Sequence, residues 1–154
     1  MIGSSRVSKY LIWGALIGAL FLWSASSIVA GVSPNLHWVI RDFDLFLIFC
    51  FVSPVLEEYV FRGLIYDYVE RRKQRAWPVG GVLQISVANL VSTLLFAMMH
   101  GVFRGVSSGL LVIVPSLYLG LLRRETYGLG PCMIVHGLWN LGWFSLFPPG
   151  SGFG

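Results

Sequence analysis

Five long apolar stretches dominate this sequence. They lie roughly at residues 10–32, 44–66, 82–103, 107–122 and 130–147, and a helix needs about 20 mostly apolar residues to cross the hydrocarbon core of a bilayer. Of the 154 residues, 56% are hydrophobic and only 12% are charged, a composition far from that of a soluble domain of this length. The sequence therefore predicts an integral membrane protein.

The basic residues are distributed unevenly between these stretches. They cluster before the first stretch, after the second and after the fourth, at Arg6, Lys9, Arg71, Arg72, Lys73, Arg75, Arg123 and Arg124. The other two loops hold only Arg41 and Arg104. By the positive-inside rule this alternation predicts a cytoplasmic N-terminus and an external C-terminus. The net charge of +4 is thereby explained by topology, and it gives no reason to expect a nucleic-acid partner.

The simplest fold class for such a chain is an all-α, polytopic transmembrane helical bundle of about five spans. No linker, low-complexity run or repeat divides residues 1–154, so we expect a single integral membrane domain. The apolar runs lack the alternation of membrane strands, and strands are therefore not expected. Prolines predict a kink at Pro54, a bend at Pro115 and a helix start at Gly130-Pro131.

Three clusters of polar residues interrupt the apolar stretches. Glu57-Glu58 is followed by Phe61-Arg62, Phe96 by His100, and His136 by Asn140. Ionisable groups at membrane depth are costly unless they face a partner or a wet cavity, so they indicate a functional site.

Helical spacing gives each cluster a geometry. Residues four apart share a helix face, so Glu58 and Arg62 can form an ion pair that leaves Glu57 free. By the same spacing Phe61 lies on the face of Glu57, Phe96 on that of His100, and Asn140 on that of His136.

Counting from the cytoplasmic flank of each span gives the depth of each cluster. Glu57 lies 14 residues from Arg71, His100 lies 16 from Gln84 and His136 lies 12 from Arg124. At about 1.5 Å per helical residue, these positions lie roughly 18–24 Å deep. All three clusters are therefore expected in one layer, at or beyond the midplane.

These residue types suit hydrolysis of a peptide bond. A carboxylate can act as a general base toward water, with an imidazole to orient or deprotonate it. An imidazole N–H and an amide NH₂ can donate to the oxyanion that forms at the carbonyl. A purely structural set of interhelical hydrogen bonds is the alternative, but each such bond contributes only about 0.6 kcal/mol.

The ordered motifs Glu-Glu-x-x-x-Arg, Phe-x-x-x-His and His-x-x-x-Asn resemble the CAAX prenyl endopeptidase and bacteriocin-processing (CPBP) family of intramembrane glutamic proteases. The resemblance covers about residues 51–143 and implies that they form the catalytic core. It implies that Glu57 and His100 activate water, that His136 and Asn140 stabilise the oxyanion, and that Glu58, Arg62, Phe61 and Phe96 shape the site. It also implies a membrane-anchored protein or peptide substrate, no cofactor, and a place in a prokaryotic cytoplasmic membrane.

Three other readings remain open. Glu57, His100 and His136 could instead hold zinc, although the sequence has no His-Glu-x-x-His motif and Cys50 and Cys132 match no zinc spacing. Residues 105–109 match the serine-hydrolase pattern Gly-x-Ser-x-Gly, but that motif requires a turn between strand and helix. A non-enzymatic immunity or transport partner is the last alternative, and it should tolerate Gln at Glu57.

Overall fold

The computed structural model describes residues 2–79 and 83–149, and it shows a bundle of helices with one small hairpin. The helices are α1 (Ile2–Ala30), α2 (His37–Arg41), α3 (residues 43–72), α4 (Val87–Arg104), α5 (Val106–Leu111), α6 (Ile113–Thr126) and α7 (Gly130–Leu146). The hairpin strands are β1 (Ala76–Val79) and β2 (Leu83–Ser86). The predicted all-α membrane bundle is confirmed.

Three of the predicted spans are long and apolar enough to cross a membrane within the described ranges: Lys9–Ala30, Val87–Arg104 and Val106–Thr126. The other two are also helical. The α3 helix is divided by two π-helical segments, at Ile48–Val52 and Tyr59–Ile65, and α7 has 17 residues. The count of five crossings stays a prediction.

The expectation that the chain forms no strands is wrong at Ala76–Val79 and Leu83–Ser86. There β1 pairs with β2 in antiparallel register, with Trp77 opposite Ile85. The third span accordingly begins at Val87, where the Ser86 hydroxyl caps α4 by accepting from the Asn89 N–H at 3.2 Å. His100 lies 13 residues into this helix, about 20 Å from its start. The depth counted from Gln84 was wrong because Gln84 lies in a strand.

The depth count for His136 also fails. Between Arg124 and His136 the chain leaves the helix, because α6 ends at Thr126 and Tyr127 adopts a left-handed conformation with φ 54°. A new helix, α7, starts at Gly130 as its Gly-Pro pair predicts. His136 is therefore only six residues into its own helix, and its level in the bundle is set by packing.

Prolines mark the other two irregular places. Pro115 cannot donate to the Leu111 carbonyl, and α5 ends at Leu111 while α6 begins at Ile113. Pro54 leaves the Cys50 carbonyl without its usual donor, and α3 is π-helical over the residues just before it. The helix is thus interrupted near Pro115 and irregular at Pro54, the two places where the sequence predicts a bend and a kink.

The α7 helix packs closely on α3 at the segment just before Pro54. A Cβ added at Gly137 would overlap the Cys50 carbonyl oxygen, so only glycine lets the two backbones approach this closely. His136, the preceding residue, is thereby brought against the acidic cluster of α3. On the other side, α1 packs on α6 and α7, where the Tyr118 hydroxyl donates to the Leu11 carbonyl at 2.6 Å.

Candidate active site

The polar clusters of α3, α4 and α7 meet inside the bundle. Glu58 and Arg62 are fully buried, and His100 and His136 are 8% and 7% exposed. Glu57 is the most accessible of the charged groups, with 20% of its side chain exposed. Polar residues from three helices are thus brought together, although the depth counts that predicted a common layer fail for His100 and His136.

The Glu58–Arg62 pair predicted from the four-residue spacing is present. Arg62 Nη1 donates to Glu58 Oε1 at 3.2 Å, and the two side chains are 1% and 0% exposed. The second carboxylate oxygen, Glu58 Oε2, has no hydrogen-bond partner among the described residues. A buried pair of this kind is costly to form, but removing one partner leaves the other as an uncompensated charge.

Arg62 is held by α6 as well as by Glu58. Its Nη2 donates to the Ser116 hydroxyl at 2.6 Å and to the Ser116 carbonyl at 3.0 Å, and its guanidinium carbon lies 4.8 Å from the centroid of the Phe96 ring. The Ser116 hydroxyl donates in turn to Thr93 on α4 at 3.1 Å. A polar chain therefore links α3, α6 and α4 and fixes the guanidinium.

His136 lies between the two glutamates. Its Nδ1 is 2.8 Å from Glu58 Oε1, and its Nε2 is 3.7 Å from Glu57 Oε2. Because a carboxylate only accepts, Nδ1 carries the hydrogen in this contact. Nε2 is then the ring nitrogen directed at Glu57. Nε2 is a hydrogen-bond donor when the ring carries a hydrogen on both nitrogens, and an acceptor when only Nδ1 carries one.

Glu57 and His100 line one cavity of about 180 Å³, together with Met99, Phe103 and Arg104. Glu57 Oε2 is buried and has no hydrogen-bond partner within residues 9–79 and 83–149. The Nδ1 atom of His100 lies 3.1 Å from the Phe96 carbonyl, which leaves its other ring nitrogen for a second partner. An unsatisfied carboxylate oxygen beside an imidazole can hold and polarise a water molecule.

Of the two aromatic residues expected to shape the site, Phe96 packs against both histidines and Phe61 packs against Phe96. The Phe96 ring lies 4.3 Å from the His100 ring centroid and 6.0 Å from that of His136. It also meets Phe61 edge-on at 5.1 Å. Apolar rings in contact with these polar groups lower the local dielectric.

Asn140 lies one turn beyond His136, as its spacing predicts. Its amide Nδ2 donates to the Phe49 carbonyl at 2.8 Å, so one N–H is already used in joining α7 to α3. The second N–H of the same amide is not taken by that bond.

The family model for type II CAAX prenyl endopeptidase Rce1-like proteins matches residues 39–142. The match covers 104 of the 154 residues and contains all three polar clusters. The chain belongs to the Rce1-like family. No curated protein and no solved structure matches it. Membership supports an endopeptidase that acts within a membrane, in agreement with the resemblance seen in the motifs.

A metal site was the main alternative for this Rce1-like chain. In the part of the chain that the structure describes, no three His, Cys, Asp or Glu side chains form a group that could hold a metal ion. Cys50 and Cys132 are both buried thiols. Glu57, His100 and His136 are therefore not arranged as a ligand set in this structure.

Two residues at the site were missed by sequence reasoning. Ser116 holds Arg62 from a position 54 residues away, and no spacing rule predicts such a contact. Its only signal is a serine next to a proline inside an apolar stretch. Arg104 lines the cavity of Glu57, and its signal was its place as a lone basic residue four positions after His100.

The serine-hydrolase pattern at residues 105–109 lies at the start of a helix and not at a turn between strand and helix. Its last residue, Gly109, packs against the Ala97 carbonyl.

Proposed function

We propose that this Rce1-like protein hydrolyses a peptide bond of a membrane-anchored protein substrate by a glutamic mechanism. Glu57 and His100 activate the water, and His136 and Asn140 stabilise the oxyanion. Glu58 and Arg62 hold His136 in place, and Phe61 and Phe96 close the site.

One observation supports this proposal more than any other. Glu57 and His100 come from different helices, yet they line the same small cavity, and Glu57 Oε2 has no hydrogen-bond partner among the described residues. Glu58 Oε2 and Glu70 Oε2 are also unsatisfied in the described part of the chain, and a buried acceptor without a partner costs about 1–3 kcal/mol. Of these three glutamates only Glu57 lines the cavity. The free oxygen suits a group that awaits water.

The reaction is a general-base hydrolysis. Glu57 takes a proton from water as the water oxygen adds to the carbonyl carbon, which gives a tetrahedral oxyanion and a protonated Glu57. His100 accepts from or donates to the same water and so fixes its direction. Glu57 then returns the proton to the amine nitrogen as the C–N bond breaks. The carboxylate is regenerated, and one water has been consumed.

The oxyanion is stabilised by two hydrogen-bond donors on α7, His136 and Asn140. As a donor, His136 must carry hydrogens on both ring nitrogens, because its Nδ1–H is directed to Glu58. Asn140 contributes the N–H that is not bonded to Phe49. Donors that act mainly on the transition state each contribute about 10²- to 10³-fold in rate.

The cavity also suggests the direction of substrate entry. Phe103 and Arg104, at its rim, form the last residues of α4, whereas the basic clusters of α3 and α6 lie at the opposite ends of their spans. With a cytoplasmic N-terminus, the cavity faces the external half of the bilayer. The family implies membrane-associated prenylated substrates, and this position favours a lipid-anchored segment that is reached from outside, in a prokaryotic cytoplasmic membrane.

Purified protein in liposomes tests both the reaction and its type. The probe is a farnesylated cysteine peptide with a three-residue C-terminal extension, and mass spectrometry identifies the products. We expect one cleaved bond, activity that survives prolonged chelation, and no stoichiometric zinc by elemental analysis. One tightly bound zinc per chain, with activity lost on removal and restored on return, would replace the glutamic mechanism by a metalloprotease using the same residues.

A further inference from the structure

Arg104 occupies an unusual place at the rim of the site. It is the last residue of α4, and the next residue, Gly105, has φ 89°, a conformation that ends the helix and favours glycine. The side chain is exposed and lines the cavity of Glu57 and His100. Within the described part of the chain it forms no ion pair, and its guanidinium carbon lies 5.8 Å from the Phe49 ring centroid.

The charges of Arg104 and Glu57 attract each other across this cavity, but no direct ion pair joins the two side chains in the described part of the chain. Met99 and Phe103 are apolar, and Glu57 carries the only acidic side chain on the cavity wall. Glu57 repels any substrate carboxylate that comes near, so a substrate with such a group needs a compensating cation. A guanidinium can bind a carboxylate through two parallel N–H donors, and the pair is stronger where apolar walls exclude water.

We propose that Arg104 is a specificity-determining residue that binds a carboxylate of the substrate, two to three residues from the cleaved bond. Arg104 lies four residues beyond His100, about 6 Å along the helix. An extended peptide advances about 3.3 Å per residue, so this rise corresponds to about two residues, and the long arginine side chain can reach one residue further. The carboxylate is either the C-terminus of the substrate or an acidic side chain. This inference rests on the proposed function, because it takes Glu57 and His100 as the point of cleavage.

Binding measurements in nanodiscs test the proposal without requiring hydrolysis. Three fluorescent farnesylated peptides are compared, each with a non-hydrolysable ketomethylene unit in place of the bond after the cysteine. The first ends in a free carboxylate three residues after the cysteine, and the second ends in an amide. The third is the amide with an aspartate as the second residue after the cysteine.

The wild-type protein is expected to bind the first or third probe about 5- to 10-fold more tightly than the amide, a factor typical of one charged contact. Whichever probe is preferred identifies the source of the carboxylate. Arg104→Gln should reduce this ratio to about one, and Arg104→Lys should keep part of it. Arg41→Gln is the matched control, since Arg41 is an exposed arginine that is already paired with Asp42, and the ratio should not change there.

Several results would overturn the inference. These are equal affinity of the wild-type protein for all three probes, no binding of any of them, or a preference that persists in Arg104→Gln. An equal loss of affinity for all probes, dependent on anionic lipid, would assign Arg104 to a phospholipid headgroup instead. A preserved preference in a protein that cleaves no substrate would contradict the proposed function and leave the carboxylate site intact.

Discussion

Replacing Arg62 by methionine should destabilise the folded bundle strongly. Methionine keeps most of the side-chain volume but loses the three hydrogen bonds to Glu58 and Ser116. At about 0.6 kcal/mol each, as measured between membrane helices, these bonds account for only about 2 kcal/mol. The larger part comes from the Glu58 carboxylate, which is fully buried and loses its cation, so the total should reach about 3–5 kcal/mol.

Unfolding by SDS titration from mixed micelles, followed by circular dichroism, measures this loss. Arg124→Met is the matched control, because Arg124 pairs with Glu70 at 3.0 Å but both side chains are about 30% exposed, at 27% and 31%. It should cost about 0–1 kcal/mol.

The double variant Glu58→Gln/Arg62→Met separates charge from packing. Glutamine keeps an acceptor for His136 and removes the unpaired charge, so at least about 2 kcal/mol of the loss should return. The reasoning is refuted if Arg62→Met costs no more than Arg124→Met, or if the double variant is no more stable than the single one.

The remaining predictions concern rates and can be checked by steady-state kinetics in liposomes. His136→Ala and Asn140→Ala should each lower kcat by about 10²- to 10³-fold with little change in KM, and a change mainly in KM would assign that residue to substrate binding. Ser116→Ala should lower kcat about threefold to tenfold, equivalent to up to about 1.4 kcal/mol, because Arg62 loses its shortest hydrogen bond. Ser116→Thr restores the hydroxyl and should restore kcat, whereas a threonine variant as slow as the alanine variant would contradict a positioning role.

The helical bundle and the family could be predicted because their signals are local. Apolar runs of about 20 residues define spans, and the four-residue spacing of Glu58 and Arg62 defines a pair on one helix face. The contact between His136 and Glu58, which are 78 residues apart, depends instead on how α7 packs on α3. The sequence indicates that buried ionisable groups need partners, but it could not say that this histidine would lie between the two glutamates.

The hairpin and the π-helical segments were missed for different reasons. Residues 76–86 contain a Gly-Gly pair between two short, mostly apolar segments, which is a recognised hairpin signal. Because the strongly hydrophobic residues 87–104 follow directly, the predicted span began too early and included the second of these segments. The π-helical segments of α3 have no sequence signature of their own. The first lies just before Pro54, where the sequence predicts a kink but not its π-helical form, and the second, Tyr59–Ile65, contains no proline.

The carboxylate of Glu57 is the centre of the proposed chemistry, and Glu57→Gln tests it most directly. Glutamine keeps the shape of the side chain and cannot take a proton from water, so single-turnover cleavage in liposomes should fall by at least about 10³-fold. Glu70→Gln makes the same change 13 residues further along α3 and should leave the rate unchanged. With both variants folded as judged by SDS titration, loss of cleavage in Glu57→Gln alone is the predicted result. Substantial cleavage by Glu57→Gln would contradict the glutamic mechanism.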